Sequence, residues 1–511
     1  MISVVNSFGI DGINGYMVTV EVDISNGMPV FEIVGLPDAA VKESKHRVKS
    51  ALNNNHINLP AKKYVVNLAP ADLKKEGAVY DIPIAIGILS SLGIVAFDNL
   101  NECMFLGELS LSGELRKVRG VLSAAIIARE NGIKNIFVPW ENAGEAAVVE
   151  NINVFACKNI NDIVKHFSGE KTISPLKIDV DKFFEYTNDD ELDFSDVKGQ
   201  ENVKRALEIA AAGGHNCLLI GSPGTGKTML AKRIPTILPD LTIDEALEVT
   251  KIHSVAGILN YDTPIVTSRP FRAPHHTVST VALSGGGSVP RPGEVSLAHH
   301  GVSFLDEFPE YKKDAVEVLR QPLEDGTVTI SRVQSSITFP CNFMLVAAMN
   351  PCKCGYYGDP NHECKCSEYQ INQYLSRISG PVLDRIDLHI EINPVNYDDL
   401  GKVSSSEKSC VIKERVNHAR NIQRERFKSE GIFSNAQMSS KQIAKYCVLG
   451  DKENLLLKSA FERLGLSARA YDRILKVSRT IADLDNSIDI TTSHIAEAIQ
   501  YRNLDRKYWN R

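Results

Sequence analysis

The sequence lacks any apolar run approaching the ~20 residues that a membrane-spanning helix requires, and residues 1–12 lack the basic start and apolar core of a secretion signal. It has no excess of positive charge, since 57 Lys and Arg residues are set against 63 Asp and Glu residues for a net charge of -6. It shows no internal repeat with a period of about 20 to 50 residues, which excludes solenoid and propeller folds. We therefore expect a cytoplasmic protein without membrane partners, whose nucleic-acid contacts come from local patches or from the inner surface of a ring.

The chain has 511 residues, which is too long for one hydrophobic core, so about two to four domains are expected. Alternating strand patterns followed by apolar helical patterns predict an α/β domain over residues 1–167, and a polar, acidic stretch predicts a linker over 168–196. Short buried strands, glycine loops and helices over 197–400 predict a parallel sheet with crossover helices. Amphipathic patterns over 401–511 predict a helical lid.

A glycine-rich loop follows a short apolar strand at 217–220 and leads into a helical segment. Its eight residues are Gly221, Ser222, Pro223, Gly224, Thr225, Gly226, Lys227 and Thr228. The glycines let the backbone wrap a triphosphate with its N–H groups, and the following helix points its positive dipole end at the phosphates. We expect Lys227 to pair with the β- and γ-phosphates and the Thr228 hydroxyl to ligate Mg²⁺. The loop therefore predicts ATP binding with Mg²⁺, against the alternative of a bare glycine-rich turn.

Two further strand ends carry groups that hydrolysis requires. The apolar stretch at 302–305 ends in Asp306 and Glu307; the first is expected to hold Mg²⁺ and the second to act as base for the attacking water. A strand at 343–349 ends in Asn350, whose amide is placed to orient that water. The acidic pair alone would also fit a solvated turn, but its position after a full phosphate loop favours function.

Four of the ten cysteines crowd into one short segment, at Cys352, Cys354, Cys364 and Cys366. In a reducing compartment such a cluster indicates metal binding rather than disulfides, and four thiolates satisfy tetrahedral Zn²⁺, with His362 as a spare donor. The C-x-C spacing departs from the usual C-x-x-C knuckle, so free thiols in a loop are the alternative. We predict a structural Zn²⁺ that stabilises an insertion beside Asn350.

Several longer motifs resemble one known family. They include Phe-Arg-Ala-Pro-His-His at 271–276, the segment 292–307 with the acidic pair, Asn-Pro-Cys-Lys-Cys-Gly-Tyr-Tyr-Gly at 350–358 and the segment 375–389. Over essentially the whole chain the sequence resembles the YifB/ComM family of magnesium-chelatase-like AAA+ ATPases, in the helix-2-insert clade. The resemblance implies a P-loop AAA+ core with a C-terminal helical lid, a homo-oligomeric hexameric ring, and a branch-migration helicase acting on DNA in natural transformation and homologous recombination, with recombination proteins as partners.

The resemblance also assigns arginine residues outside the phosphate loop. Arg385 matches the arginine finger that reaches the γ-phosphate of a neighbouring subunit, where a guanidinium neutralises developing charge. Arg469 matches the lid arginine called sensor 2, and Arg473 one turn later is a nucleotide-binding helper. The alternative for Arg385 is a surface salt bridge with Asp384 or Asp387.

Residues 324–339 alternate like two strands with a turn, and they resemble a hairpin that points into the pore of the ring. There Arg332 would contact the DNA backbone, whereas the alternative is a short solvent-facing hairpin. The histidine pairs at 275–276 and 299–300 are interpreted as packing or switch residues, because adjacent side chains on a strand face opposite sides and do not share a metal.

Residues 1–167 resemble the fold of the Lon protease domain, through the segments 107–120 and 132–139. A Ser–Lys protease needs a nucleophilic hydroxyl beside a lysine base, and this chain lacks both where that family carries them, at 78–83 and 121–126. We therefore expect a non-proteolytic domain. The favoured function is a DNA motor; a chelatase-type motor that remodels a protein partner is the main rival, and an ATP-dependent protease is the third.

Overall fold

A computed structural model describes residues 2–97, 99–185, 192–287, 289–331, 336–394 and 407–509. Its internal contacts divide the chain into two units, of which one comprises residues 1–187 with 243–267 and the other comprises 188–242 with 268–511. No helix within the described residues is both long enough and apolar enough to cross a membrane.

The first unit is built on a mixed seven-stranded sheet. The strands of this unit are β1 (Ser3–Asp11), β2 (Asn14–Ser25), β3 (Phe31–Val34), β4 (Lys63–Ala69), β5 (Cys103–Phe105), β6 (Glu108–Leu109), β7 (Leu115–Arg116), β8 (Asn135–Pro139) and β9 (Asn153–Cys157). The sheet has the order β3-β4-β2-β1-β5-β8-β9, while β6 and β7 pair separately. In β2 and β4 buried residues alternate with more exposed ones, because the two long antiparallel strands turn one face to the core.

Helices pack on this sheet, and within the described residues they are Ala39–Asn54, Asp81–Ser91, Val121–Glu130, Ala143–Ala147, Ile160–Phe167, Asp181–Glu185 and Ile243–Ala256. The last helix comes from the stretch that the sequence pattern places inside the ATPase core. It packs against Val121–Glu130, and the Ser254 hydroxyl donates to the buried Glu145 carboxylate. Residues 243–267 therefore fold as part of the first unit, a long-range pairing that local patterns do not reveal.

The second unit contains a five-stranded parallel sheet. The strands of this unit are β10 (Cys217–Gly221), β11 (Phe271–Arg272), β12 (Gly285–Gly286), β13 (Arg291–Pro292), β14 (Val302–Leu305), β15 (Thr327–Ser331), β16 (Ser336–Pro340), β17 (Met344–Met349) and β18 (Leu388–Ile392). The parallel sheet has the order β11-β14-β17-β10-β18. Strands β10, β14 and β17 are buried throughout, as continuous apolar runs in a parallel sheet require. The predicted α/β class and the predicted hairpin strands, β15 and β16, are confirmed.

Helices surround this sheet and continue to the end of the described chain. They are Glu201–Gly213, Lys227–Arg233, Thr280–Ser284, Glu294–Leu297, Lys313–Val318, Arg320–Asp325, Glu368–Leu375, Gly380–Leu383, Ser409–Phe427, Ser440–Tyr446, Asp451–Leu464, Ala468–Leu484, Thr492–Gln500 and Leu504–Trp509. The helices from residue 409 onward share one apolar core with the sheet, and the helix at 201–213 packs against those at 409–427 and 468–484. The helical C-terminal region is therefore confirmed.

The end of the predicted linker is packed rather than solvated. Phe194 is fully buried, and the Asp193 carboxylate accepts from the Ser409 N–H at 3.1 and 3.2 Å, where the helix Ser409–Phe427 begins. A carboxylate at the N-terminus of a helix and a buried ring both stabilise this contact. The acidic composition of the segment predicted a solvated linker and gave no sign of this contact. Residues 192–196 belong with the second unit.

A buried carboxylate joins the parallel sheet to the lid. Asp387, which directly precedes β18, is 2% exposed and accepts from the Asn216 N–H at 3.1 Å. It also contacts the His215 ring at 3.3 Å and forms an ion pair with Arg473 on the lid helix. Burial alone would raise the pKa of Asp387, but the charges and hydrogen bonds of Arg473 and His215 lower it well below its ordinary value.

We predict that Asp387→Asn destabilises the second unit by about 3 kcal/mol at pH 7, because it leaves the partly buried Arg473 without its counter-charge. Since the folded pKa lies below the unfolded value of about 3.9, the ion pair stabilises the fold above that pH and loses its effect as the pH falls further. Thermal unfolding of both proteins at pH 7 and near pH 3 should show the difference narrowing in acid. Asp489→Asn, at an exposed position, is the control; equal stability of Asp387→Asn and wild type at pH 7 would contradict the prediction.

Candidate active site

The phosphate-type loop lies between β10 and the helix Lys227–Arg233, at the carboxyl edge of the parallel sheet. Gly224 and Gly226 have φ angles of 79° and 86°, a left-handed conformation that other residues adopt only with strain. These turns bring the loop back over the helix N-terminus, whose free N–H groups attract anions. The local structure therefore matches the predicted anion-binding loop.

The Lys227 ammonium lies inside this loop. It donates to the carbonyls of Gly221 at 2.6 Å and Ser222 at 2.9 Å, and to the Asn350 side-chain oxygen at 3.1 Å. Burial lowers the pKa of Lys227 to about 8, and the charge of Asp306 opposes that shift. A buried ammonium held only by neutral oxygens is electrostatically suited to receive the charge of a phosphate.

The Thr228 hydroxyl donates to the Asp306 carboxylate at 2.7 Å. Thr228 is on the helix that follows β10, whereas Asp306 follows β14, so the contact joins two residues that are 78 positions apart in the chain. Hydroxyl and carboxylate oxygens are the ligands that Mg²⁺ takes from proteins at nucleotide sites. The two residues fit the predicted Mg²⁺ position.

The candidate base Glu307 has an unusual backbone and a partner that the sequence analysis did not assign. Its φ is 52°, in the left-handed region, which costs of order 1–3 kcal/mol for a residue other than glycine. Its carboxylate lies 3.0 Å from the His276 ring nitrogen. His276 follows β11, which pairs in parallel with β14, so both side chains emerge at the same edge of the sheet. The parallel pairing of β11 with β14 is what the sequence analysis missed. The contact with Glu307 favours the interpretation of His276 as a switch residue over its interpretation as a packing residue.

The four cysteine thiols converge. All four sulfur atoms lie within 4.8 Å of one another, and the Sγ–Sγ distances are 3.3 Å for Cys352–Cys354, 3.7 Å for Cys352–Cys364 and 3.6 Å for Cys354–Cys364, while Cys366 completes the group. A tetrahedral Zn²⁺ with Zn–S bonds of about 2.3 Å requires sulfur separations of about 3.8 Å. The cluster therefore fits a four-thiolate metal site.

The arginines assigned by resemblance lie at the opposite edge of the sheet. The Arg385 carbonyl accepts from the Asn216 amide at 3.0 Å, and Asn216 directly precedes β10. The phosphate loop begins at the other end of β10, about 16 Å away for five residues at ~3.3 Å each. Arg473, which pairs with Asp387 and donates to the Asp384 carbonyl at 2.8 Å, lies at the same distant edge. The structure does not bring either side chain to the phosphate loop of its own chain.

Glu324 lies close to several arginine side chains at this edge of the sheet. The Arg385 guanidinium, only 6% exposed, forms an ion pair with Glu324 at the end of the helix Arg320–Asp325. The hydrogen bond from Arg385 lowers the pKa of Glu324, desolvation opposes this shift, and the charges of Arg385, Arg469 and Arg320 lower the pKa further. Arg385 and exposed Arg469 thus share one face. The proposed DNA contact Arg332 lies outside the described residues.

Three family models match the sequence of the chain. Residues 193–400 match the family model "Magnesium chelatase, subunit ChlI", residues 20–142 match "Subunit ChlI of Mg-chelatase", and residues 406–502 match "Magnesium chelatase, subunit ChlI C-terminal".

Two individual relatives match nearly the full length of the chain, and a third matches a shorter part. The chain is 45% identical to the competence protein ComM of Haemophilus influenzae over 499 residues, which is 97% of this chain and 96% of that protein. It is 44% identical to the uncharacterised protein YifB of Escherichia coli over 508 residues, 99% and 98% of the two chains. The magnesium-chelatase 38 kDa subunit of Rhodobacter capsulatus is 28% identical over 174 residues, 31% of this chain and 50% of that subunit.

We predict that His276→Ala raises basal ATP hydrolysis about 3-fold, equivalent to a hydrogen bond of ~0.7 kcal/mol, because the Glu307 carboxylate is then free to accept a proton from water. Steady-state phosphate release measures the rate. Glu307→Gln should abolish turnover with or without the histidine change. His46→Ala, at an exposed histidine of the helix Ala39–Asn54, is the control. A fall of the His276→Ala rate to that of Glu307→Gln would show instead that the histidine holds the base in its working position.

Proposed function

This chain belongs to the ComM/YifB family of magnesium-chelatase-like AAA+ proteins, and we propose that it is a cytoplasmic ATP-hydrolysing, ring-forming motor that migrates branched DNA. On this proposal it acts in homologous recombination and natural transformation, alongside recombination proteins. The relative named as a competence protein, matched over nearly its whole length, supports that role.

The observation that carries the proposal is the separation of the two halves of the hydrolytic site. The loop, Thr228, Asp306 and Glu307 lie at the carboxyl edge of the sheet, while Arg385 is anchored at the amino edge. Because about 16 Å exceeds the reach of one arginine side chain, Arg385 can meet a γ-phosphate only on a neighbouring chain. A head-to-tail interface that repeats this contact closes into a ring, and a hexamer is the proposed size.

On this proposal, each residue of the site has a separate role in hydrolysis. Lys227 and the loop N–H groups would bind the phosphates, and Asn350, which already contacts Lys227, would orient the attacking water. Glu307 would accept the proton of that water once His276 releases it. Mg²⁺ bound by Thr228 and Asp306 would neutralise charge on the β- and γ-phosphates. Arg385, with Arg469 on the same face, would stabilise the developing charge from the neighbour.

Zn²⁺ at the four cysteines is part of the proposal, supported by the sulfur separations. When bound, it would cross-link two ends of an insertion that has no helix or strand between residues 352 and 366. The insertion begins two residues after Asn350, so the metal would act on structure beside the site rather than on the reaction.

A motor that remodels a protein partner is the second candidate, because the ATPase region is similar in sequence to the chelatase subunit.

A protease receives less support. Lys75 of the first unit is fully buried and burial lowers its pKa, which suits a lysine base. Its described hydrogen bond, however, goes to the Leu73 carbonyl and not to a serine hydroxyl.

We predict that forked or single-stranded DNA stimulates ATP hydrolysis, and that the chain migrates a three- or four-strand DNA junction only when ATP is present. Lys227→Ala should remove both activities, because the phosphates lose their buried counter-charge. Gel-resolved junction products measure migration. A wild-type ATPase that responds to no DNA structure would contradict the DNA proposal and favour the protein partner.

We predict that Arg385→Ala lowers the turnover rate about 1,000-fold while ATP binding is kept, as for other arginine fingers. Mixing it with inactive Lys227→Ala should restore measurable hydrolysis, since about a quarter of randomly assembled interfaces combine an intact loop with an intact arginine. Each variant alone at the same total concentration is the control. No recovery in co-assembled rings would mean that Arg385 does not act across the interface.

A further inference from the structure

We propose that the four-cysteine insertion, residues 352–366, is a metal-dependent brace for the phosphate loop, and that Asp359 is the positioning residue through which it holds that loop ready for nucleotide. This inference rests on the proposed Zn²⁺ and on the proposed ATP site, but not on DNA as the partner.

The insertion touches the phosphate loop at two adjacent residues. The Ser222 hydroxyl donates to the Asp359 carboxylate, whose side chain is only 1% exposed. Gly355 packs on Pro223 so closely that an added Cβ would lie 2.6 Å from the Pro223 ring carbons. Gly355 also has a φ of 91°, so glycine is required there for both reasons. The second and third residues of the loop are therefore held by the insertion.

The Asp359 carboxylate is fixed from its own side as well. Its other oxygen accepts from the N–H groups of Asn361 at 2.8 Å and His362 at 3.1 Å. The His362 ring stacks on Tyr356 at 4.8 Å between ring centres. One carboxylate oxygen thus closes a turn of the insertion, and the other is left for Ser222.

The thiol cluster is what can hold this turn in place. Asp359 lies between Cys354 and Cys364, whose sulfur atoms are 3.6 Å apart, and no ladder of strand or helix hydrogen bonds fixes this stretch. A short segment without regular structure gains its conformation from a cross-link at its ends. A metal bound by the four thiolates supplies that cross-link, so its binding free energy becomes ordering free energy for the turn and for the loop it contacts.

The insertion is also connected to the active site through the chain segment that precedes Cys352. Cys352 is separated from Asn350 by Pro351 alone, and Asn350 contacts the Lys227 ammonium. Loss of the cross-link therefore loosens both the loop at Ser222 and the residue that contacts its lysine. The consequence is a change in nucleotide affinity, while the contact between Thr228 and Asp306 is unchanged.

The experiment measures metal content and nucleotide affinity on the full-length chain. Wild type should carry about one Zn²⁺ per chain by elemental analysis. Removing Zn²⁺ with a zinc-selective chelator, in excess Mg²⁺, should weaken the Kd for a fluorescent ATP analogue about 10-fold. Asp359→Asn should keep its Zn²⁺ and show a similar ~10-fold loss, the scale of one hydrogen bond to a charged group. Glu363→Gln, an exposed carboxylate of the same insertion, is the matched control and should keep wild-type affinity.

Two combined changes test whether Asp359 and the metal act on the loop through the same contact. Ser222→Ala combined with Asp359→Asn should bind no more weakly than the weaker single variant, because both remove one contact. Asp359→Asn should lose no further affinity when its Zn²⁺ is removed. A chain that holds Zn²⁺ but keeps its affinity after metal removal overturns the brace alone. A chain without Zn²⁺ overturns the proposed metal site together with the brace, and a missing response to DNA touches neither.

Discussion

The contact between Thr228 and Asp306 is the interaction on which the rest of the site depends. It joins the last residue of the phosphate loop to the residue after β14, and it exists only because β10, β17 and β14 are parallel and in register. Their carboxyl ends then present a lysine, a hydroxyl, a carboxylate and an amide at one edge. A buried, apolar sheet supplies the rigidity that keeps these groups within hydrogen-bond distance.

The same sheet explains why hydrolysis would require assembly if the proposed arginine finger is correct. A parallel sheet separates its two edges by the full length of its strands, and Arg385 is fixed at the edge opposite the loop. The edge of the sheet that carries Arg385 is also joined to the lid helix, because Asp387 at that edge forms an ion pair with Arg473. Arg385 pairs with Glu324, which lies three residues before the hairpin strand β15. An arginine that leaves this glutamate for a neighbouring phosphate would alter the base of the hairpin, which would give a physical route from the nucleotide to the pore of the proposed ring.

Two other features distinguish the site from a minimal nucleotide fold. Glu307, the proposed base, has a strained backbone conformation, and its carboxylate lies 3.0 Å from the His276 ring nitrogen. The cysteine insertion contacts the phosphate loop through Asp359. In both features, a residue that does not directly follow β10, β14 or β17 contacts a residue of the site. His276 contacts Glu307, and Asp359 contacts Ser222.

Local sequence determined the parts that depend on neighbouring residues. The loop 221–228, the acidic pair after a buried strand, the cysteine spacing and most helices and strands were readable because apolar periodicity and glycine turns are short-range properties. The resemblance of longer motifs placed the chain in its family, which the comparisons confirm. The tertiary structure alone decided the rest, namely that 243–267 folds with the first unit, that Phe194 is buried, that His276 meets Glu307 and that Asp359 meets Ser222. Each of these is a contact between segments far apart in the chain, and its free energy comes from packing that no local window of sequence contains.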